Sequence, residues 1–450
     1  MKSENRRGFI KKSMVATAGL SIGAPAYIKG FAQNSPNDVI NVAVAGIRSR
    51  GGFYGGSGHT ANFTKIKGSR VTTICDVDEN LFPQAIADIE KLGGDKPKTV
   101  VDYRELLDDP EIDAISVASP DHWHALQSIW ACQAEKDVYM EKPISYTIEE
   151  GRKMVQAARK YGRVVQVGMQ SRSSKLVHRA IQLIHDGVIG DVYMGRGVVY
   201  GHRANIGRLP DTPVPDGVNW DMFLGPAPYR PFNKNRFHYN WHWYWDTATS
   251  EFGNNGVHYM DKIRWGMQKR VHPEKIHSCG GFYVWDSDQE IPNLQTGTFE
   301  FADGTIMELE IRSLFSNHEE GEVGGSFFYG SKGWMHLGGS SYKVYLGTER
   351  EEGPTLQKSD IELDENDKAG IEPHFVNFLD CMRSRKWQDL NADIQEGHMS
   401  TAMMHLGNVS YRTGRKLVFN GNAEKFIDDD DANTYLTRQY RQPHVLPKKI

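Results

Sequence analysis

Two short stretches hold residue types that can move the proton of a hydroxyl group. In "YMEKPIS", Lys142 is followed by Pro143 and stands beside Glu141, at the end of a strand pattern, where open α/β sheets place their ligands. A lysine there polarises a substrate hydroxyl or carries its proton. In "SEFGNNGVHYMDKIRWG" (250–266), His258 and Asp261 are three apart and share one face of a helix, and Gly253 and Gly256 would let its first turn approach a ligand closely. A neutral histidine near a lysine is a general base for a hydroxyl proton while the hydrogen on carbon departs as hydride. Taken singly, a strand-end lysine is a solvated charge and a helix histidine a core residue. The pair gains meaning only with an acceptor for the hydride.

"VAVAGIRSRGG" (42–52) reads as the site of that acceptor. A β-branched run meets a glycine-rich turn, with Gly46 and Gly51 at the first and third positions of a dinucleotide fingerprint. Arg48 takes the second position, where a Cβ crowds the pyrophosphate unless the guanidinium pairs with a phosphate oxygen. Ile47, Ser49 and Arg50 complete the turn. Asp76 ends the next strand pattern, placed to accept hydrogen bonds from the adenosine ribose, which favours NAD over NADP. The loop "GGFYGGSGHTANF" lengthens its spacing from Gly46 beyond the usual value of about 20 residues. Ser119, Pro120 and His124 of "ASPDHWH" are expected at the cofactor edge, and Gln170 and Arg172 as nicotinamide or substrate contacts. His122 and His124 form an HxH without a further ligand cluster, so no metal is expected. In "FHYNWHWYWD" (237–246), Trp243 and its aromatic neighbours suit a sugar ring, or equally a core or oligomer contact.

These residues need strands that end together and helices that return between them. Runs at 38–45, 69–76, 114–120, 137–143 and 163–170 alternate with helical patterns, the signature of a parallel doubly wound sheet over 38–165. After Gln170 the pattern changes to runs joined by tight turns such as Ala302-Asp303-Gly304, an antiparallel sheet within 166–420. A tail fills 421–450. The chain of 450 residues has a net charge of -4 from 53 basic and 57 acidic residues, which gives no electrostatic case for nucleic acid or lipid. Cys75, Cys132, Cys279 and Cys381 are scattered and expected as buried thiols, with a disulfide open if the chain is exported. Residues 1–32, with Arg6 and Arg7 before a short apolar run broken by Gly19, Gly23 and Pro25, read as a twin-arginine export signal. No membrane span is expected in the mature chain, which would be periplasmic or otherwise exported.

The ordered set GxxxRG, "ASPDHWH", "EKP", "VVQVGMQSRSS", "NWDMFLGPAPYRPF", "GNNGVHYMDKIRW" and "HFVNFLDCMRSRK" resembles the Gfo/Idh/MocA family, the glucose-fructose oxidoreductase and inositol dehydrogenase relatives, from about Val39 to about Arg415. The resemblance implies an α/β chain: an N-terminal Rossmann domain, a C-terminal α/β domain with a large open, mainly antiparallel sheet that often mediates homodimers or homotetramers, and NAD(P) at their junction. It implies Lys142 and His258 as the catalytic group, with Asn254 at the family's aspartate position, where it can orient a hydroxyl but not take its proton. The implied substrate is a sugar, glycoside or cyclitol. Two chemistries follow, NAD-dependent oxidation or reduction of a ring carbon, or glycoside hydrolysis by transient oxidation and elimination. The retained EKP lysine favours the first. A non-catalytic sugar-binding relative is the third alternative.

Overall fold

In the computed structural model, residues 39–314, 324–361 and 372–450 are described; the export signal expected at 1–32 lies outside them. Five β-α alternations build the first sheet. Strand β1 (Ile40–Ala45) leads through a 3₁₀ turn to α1 (His59–Lys65) and β2 (Ser69–Cys75). Helix α2 (Phe82–Lys91), β3 (Lys98–Val100), α3 (Arg104–Asp108) and β4 (Ala114–Val117) follow. Then come α4 (Asp121–Gln133), β5 (Asp137–Met140), α5 (Ile148–Lys160) and β6 (Val165–Val167). The strands are parallel in the order β3-β2-β1-β4-β5-β6. The order reverses between β1 and β4, and a crevice at such a switch point is where doubly wound sheets bind ligands. Near-continuous burial along β1, β4 and β5 is what a parallel sheet covered on both faces requires.

The second sheet is entered through α6 (Lys175–His185) and β7 (Val192–Val199). A long irregular stretch with a short helix, α7 (Trp220–Leu224), leads to α8 (Val257–Gly266). The strands β8 (Lys275–Gly281), β9 (Leu294–Glu300), β10 (Ile306–Arg312), β11 (Gly324–Gly330), β12 (Gly333–Leu337), β13 (Ser341–Leu346) and β14 (Glu351–Gln357) then complete most of the sheet. With β15 (Leu417–Asn420) and β16 (Lys425–Phe426) it has ten strands, ordered β14-β13-β12-β11-β7-β10-β9-β8-β15-β16. All pairs are antiparallel except β7 with β10. Strict alternation of burial along β9 and β10 marks one face turned to the core.

Two helices of the second half hold the halves together. Helix α9 (Glu372–Ser384) packs Phe375 and Phe378 with Val42, Val44 and Phe63, and Phe375 stacks on Tyr139 at 4.4 Å. It therefore covers the first sheet, although its sequence position assigns it to the second domain. Helix α10 (Ile394–Thr413) is buried along almost its whole length, as a helix enclosed on all sides must be. The last helix, α11 (Asp430–Thr434), opens the tail. The four cysteines are free; Cys279 is exposed, because it points to the open face of β8, and the other three are buried as expected. Among the described residues no helix is long and apolar enough to cross a membrane.

Candidate active site and cofactor cavity

A cavity of about 550 Å³ runs along the carboxyl ends of β1, β2, β4 and β5, a size suited to a cofactor or small ligand. At its middle lies the glycine-rich turn. Gly46 has φ +81°, and a Cβ on it would stand 2.5 Å from the Ser119 nitrogen, so only glycine lets the turn pass so close to the β4 loop. Gly51 serves packing rather than ligand approach: its Cβ would meet the Gly46 carbonyl oxygen at 1.9 Å. Gly51 and Ile47 do not line the cavity, whereas Gly46, Arg48, Ser49 and Arg50 do. Ile47 is a core residue whose N–H donates to Asp76. Arg48 is exposed and makes no ion pair among the described residues, leaving its guanidinium available for an anion.

Asp76 is bound by the backbone in a way that leaves acceptors open. Its Oδ2 accepts from the Ile47 N–H (2.8 Å) and its Oδ1 from the Asp78 N–H (3.1 Å). A carboxylate offers about four lone-pair positions, so two remain for a diol such as a ribose. Burial pushes its pKa up to about 6, against the backbone donors that pull it down. The ionised form is the acceptor, so NAD affinity is expected to be level above neutrality and to fall as pH drops through 6, approaching tenfold per unit at about the proton-competition limit. Titration of nucleotide binding against pH checks this. Asp76→Asn should flatten the profile.

At the other end the EKP turn meets the turn before α8. Thr147 and Glu150 form a capping box at the start of α5, which fixes the chain leaving the lysine. Lys142 Nζ donates to the Asn254 carbonyl at 2.6 Å and to Asn254 Oδ1 at 3.1 Å. Two of its three N–H bonds are thereby aimed, and the third is left for the cavity that Lys142, Asn254 and His258 all line. Burial lowers the lysine's pKa, opposed by the charges of Glu141, Asp121 and Glu251. His258 has no hydrogen-bond partner among the described residues, and burial together with the Lys142 charge lowers its pKa to about 3. It is neutral at physiological pH. Asn254 belongs to a single π-helical turn (Phe252–Gly256) leading into α8, a feature that recurs at functional sites.

Glu141 acts as a hub below this end. Its Oε1 accepts from Arg50 (3.3 Å), His59 (3.1 Å) and Gln170 (3.2 Å), and its Oε2 from the Lys142 N–H (3.1 Å). Burial raises its pKa, but the His59 hydrogen bond and the Arg50 charge outweigh this and hold it well below the usual range. It lines the cavity as a permanent anion that ties the phosphate turn to the lysine. Ser119, Pro120 and Gln170 also line it. His124 does too, but its ring nitrogens lie 2.7 Å from both the Pro143 and Ser119 carbonyl oxygens, so it staples two loops and can offer a ligand only its face.

Several sequence expectations are corrected here. Arg172 is not in the cavity wall: its Nε and Nη2 bind Asp261 at 2.8 and 2.9 Å in the protein interior. Asp261 accordingly turns to Arg172 and does not line the cavity. Trp243 is 3% exposed and belongs to the core; Tyr239, Trp241 and His242 line the cavity instead. The indole of Trp241 stacks on the His242 ring at 3.6 Å. Gly253 and Gly256 make room for Thr249 Oγ1 and Leu309, not for a ligand. His122 turns inward to the Phe223 and Thr247 carbonyls. Among the described residues one histidine-carboxylate cluster, His272, His398 and Glu424, lies outside the cavity. Arg152 already neutralises its carboxylate, with Nη2 2.6 Å from Glu424 Oε1.

The acid that sequence reasoning missed is Glu251. Its Oε1 accepts from Asn254 Nδ2 (3.1 Å) and Arg203 Nε (3.1 Å), and its Oε2 from Asn255 Nδ2 (2.6 Å). The negative charge absent at position 254 thus stands one amide further from Lys142. Glu251→Gln should lower kcat about tenfold and move the alkaline limb of the pH profile down, because a carboxylate that favours the ammonium is lost. A pH–rate profile unchanged from the parent would contradict this positioning role.

Comparison with known proteins agrees with this architecture. Residues 40–169 match the family model described as "Oxidoreductase family, NAD-binding Rossmann fold", and residues 201–446 match "Oxidoreductase family, C-terminal alpha/beta domain" of the same group. A curated protein of Shewanella sp. (strain ANA-3), "Glycosyl hydrolase family 109 protein 2", is 31% identical over 168 residues, 33% of this chain and 36% of that protein. "Glycosyl hydrolase family 109 protein 1" of the same strain is 25% identical over 209 residues, 43% of this chain and 46% of that one. The chain thus spans less than half the length of these curated relatives. Among solved structures, levoglucosan dehydrogenase in complex with NADH and levoglucosan superposes with TM-score 0.63 at 17% identity, over 85% of this chain and 99% of that one. The WlbA dehydrogenase from Bordetella pertussis, in complex with NADH and UDP-GlcNAcA, gives 0.61 at 19% identity over 85% and 98%; both share the fold. The two family matches together extend from β1 into the tail, and the chain belongs to the Gfo/Idh/MocA oxidoreductase family, with NAD as its cofactor.

Proposed function

We propose that the protein oxidises or reduces a hydroxyl-bearing ring carbon of a sugar, glycoside or cyclitol. The observation that carries this reading is the meeting of Lys142, Asn254 and neutral His258 at one end of the cavity whose middle holds the phosphate turn and Asp76. The residues fit the cofactor: an unpaired arginine for the pyrophosphate, open carboxylate acceptors for the ribose, and an open end beside the lysine. Bound NAD supplies the hydride acceptor or donor.

The chain's own part is proton handling and orientation. The third N–H of Lys142 donates to the substrate oxygen and stabilises the negative charge that grows there as the C–H bond breaks. His258, unprotonated and without a partner, takes the hydroxyl proton as the oxygen becomes a carbonyl. In the reverse direction the same pair returns it. Trp241 and Tyr239 offer faces on which the C–H side of a sugar ring can stack, with Arg203 and Asn255 at its polar edges.

The partial matches to glycosyl hydrolase family 109 proteins favour a second reading, in which oxidation is transient, a glycosidic substituent is eliminated and water added, and the ring is reduced again. Product analysis separates the two. A keto sugar formed with stoichiometric reduced nucleotide supports the dehydrogenase, whereas a released sugar at unchanged oxidation level overturns it in favour of the hydrolase. We also propose export through the twin-arginine route on the Arg6-Arg7 motif, and assembly into a homodimer or homotetramer through the half-exposed face of β9 and β10.

A further inference from the structure

The tail after α11 returns to the helices of the first sheet and passes beside the cavity at His444. It is pinned at several points: Glu149 N–H donates to the Leu436 carbonyl, Tyr440 OH to Glu150 Oε1 at 2.9 Å, and Lys153 Nζ to the Pro447 carbonyl at 2.7 Å. Arg441 grips α7, with Nη1 2.5 Å from Asp221 Oδ1, Nη2 2.6 Å from the Asp221 carbonyl and Nε 2.9 Å from the Gly225 carbonyl. Three residues on, the His444 ring meets Trp123 of α4 edge-on at 5.0 Å. His444 is 7% exposed, yet it lines the cavity and neither ring nitrogen has a hydrogen-bond partner among the described residues. Its nitrogens are not sealed from solvent, so the ring presents its polar edge to whatever fills the cavity.

The position of that ring says what the partner is. Lys142 and His258 mark the nicotinamide end, and Asp76 at the end of β2 marks the adenosine ribose. Beyond Asp76, on the β3 side, the cavity continues between Val101, Asp102 and Tyr103 and the α4 residues Trp123 and Gln127, and His444 stands in this section. We propose that the C-terminal tail completes the adenine end of the cofactor site, with His444 supplying a hydrogen bond to the polar edge of the base. This rests on the NAD assignment above. Burial, with the charges of Arg441 and Arg104, lowers the ring's pKa, so at neutral pH it offers one donor and one acceptor, the pattern that an adenine edge also presents.

The test is binding by the full-length chain stripped of nucleotide, followed by tryptophan fluorescence or calorimetry, with NADH, ADP-ribose and nicotinamide mononucleotide as probes. His444→Ala is expected to weaken NADH and ADP-ribose by the same factor, about tenfold, and to leave the mononucleotide unchanged. His444→Phe keeps an aromatic ring on Trp123 without the nitrogens and is expected to weaken ADP-ribose likewise, which separates the hydrogen bond from detachment of the tail. ADP-ribose binding equal to the parent's in both variants overturns the proposal, as does parental binding in His444→Phe alone or equal weakening of the mononucleotide. A parent chain that binds none of the three overturns the NAD assignment itself, a distinct outcome.

Discussion

Replacing Lys142 with methionine is expected to lower kcat by about 10²–10⁴-fold, the usual range for removing a positioned acid or base, with NAD affinity unchanged. The expectation follows from how the ammonium is held. Both of its fixed hydrogen bonds go to Asn254, so the side chain is aimed and what it contributes is the remaining N–H and the positive charge. The residues proposed to anchor the cofactor, Arg48, Asp76 and the backbone of the turn, lie elsewhere in the cavity. Steady-state rates with a turned-over sugar, beside a nucleotide binding curve, check the division. Equal losses in both would place Lys142 in cofactor binding rather than in proton handling.

Asp261→Ala is expected to act in the opposite way, destabilising the fold by about 3–5 kcal/mol, the range for breaking a buried ion pair by removing one partner. Asp261 accepts from Arg172 Nε and Nη2 and from Ser400 Oγ at 2.7 Å. Burial alone would raise its pKa, but the Arg172 charge and hydrogen bonds hold it below the ordinary range. Glu396 of α10 binds both Arg172, at 3.3 Å, and Arg264 of α8, so the carboxylates join α8, α10 and the turn after β6 in one network. Loss of Asp261 leaves the Arg172 guanidinium in the interior with only its Glu396 hydrogen bond among the described residues, and removes the carboxylate 3.8 Å from Arg264. A lower urea midpoint with an unchanged slope is the expected readout. Arg172→Ala should do the same, whereas near-parental stability with a raised KM would restore Arg172 as a substrate contact.

The parallel sheet was legible because each β-branched run in 38–170 is followed by a helix-period segment, and period and length suffice for such units. Lys142 and His258 were legible through their local motifs, and Asp76 through its place at a strand end. Arg172 was misplaced because nothing local distinguishes a guanidinium facing a ligand from one facing Asp261, 89 positions later. Which ring of 237–246 faces the cavity was not legible, because the stretch forms a short 3₁₀ turn (His238–Trp243) without an amphipathic period. Glu251 lies in the same segment as Asn254 and His258, but its role depends on the side chains of Asn254, Asn255 and Arg203 converging on it. His444 could not be read at all, since a tail residue reaches α4 across 321 positions only through anchors such as Arg441 and Tyr440.

In the proposed reaction hydride passes between a sugar carbon and NAD at the Lys142–His258 end of the cavity. It is tested most directly by presenting the NAD-loaded protein with ring-deuterated sugars and examining the released nucleotide by mass spectrometry. The predicted result, in protein quenched during turnover before a returned hydride can erase the label, is deuterium on the nicotinamide of the reduced nucleotide with the parent protein and labelling about 10²–10⁴-fold slower with Lys142→Met. Formation of a keto sugar with no isotope on the nicotinamide would contradict it.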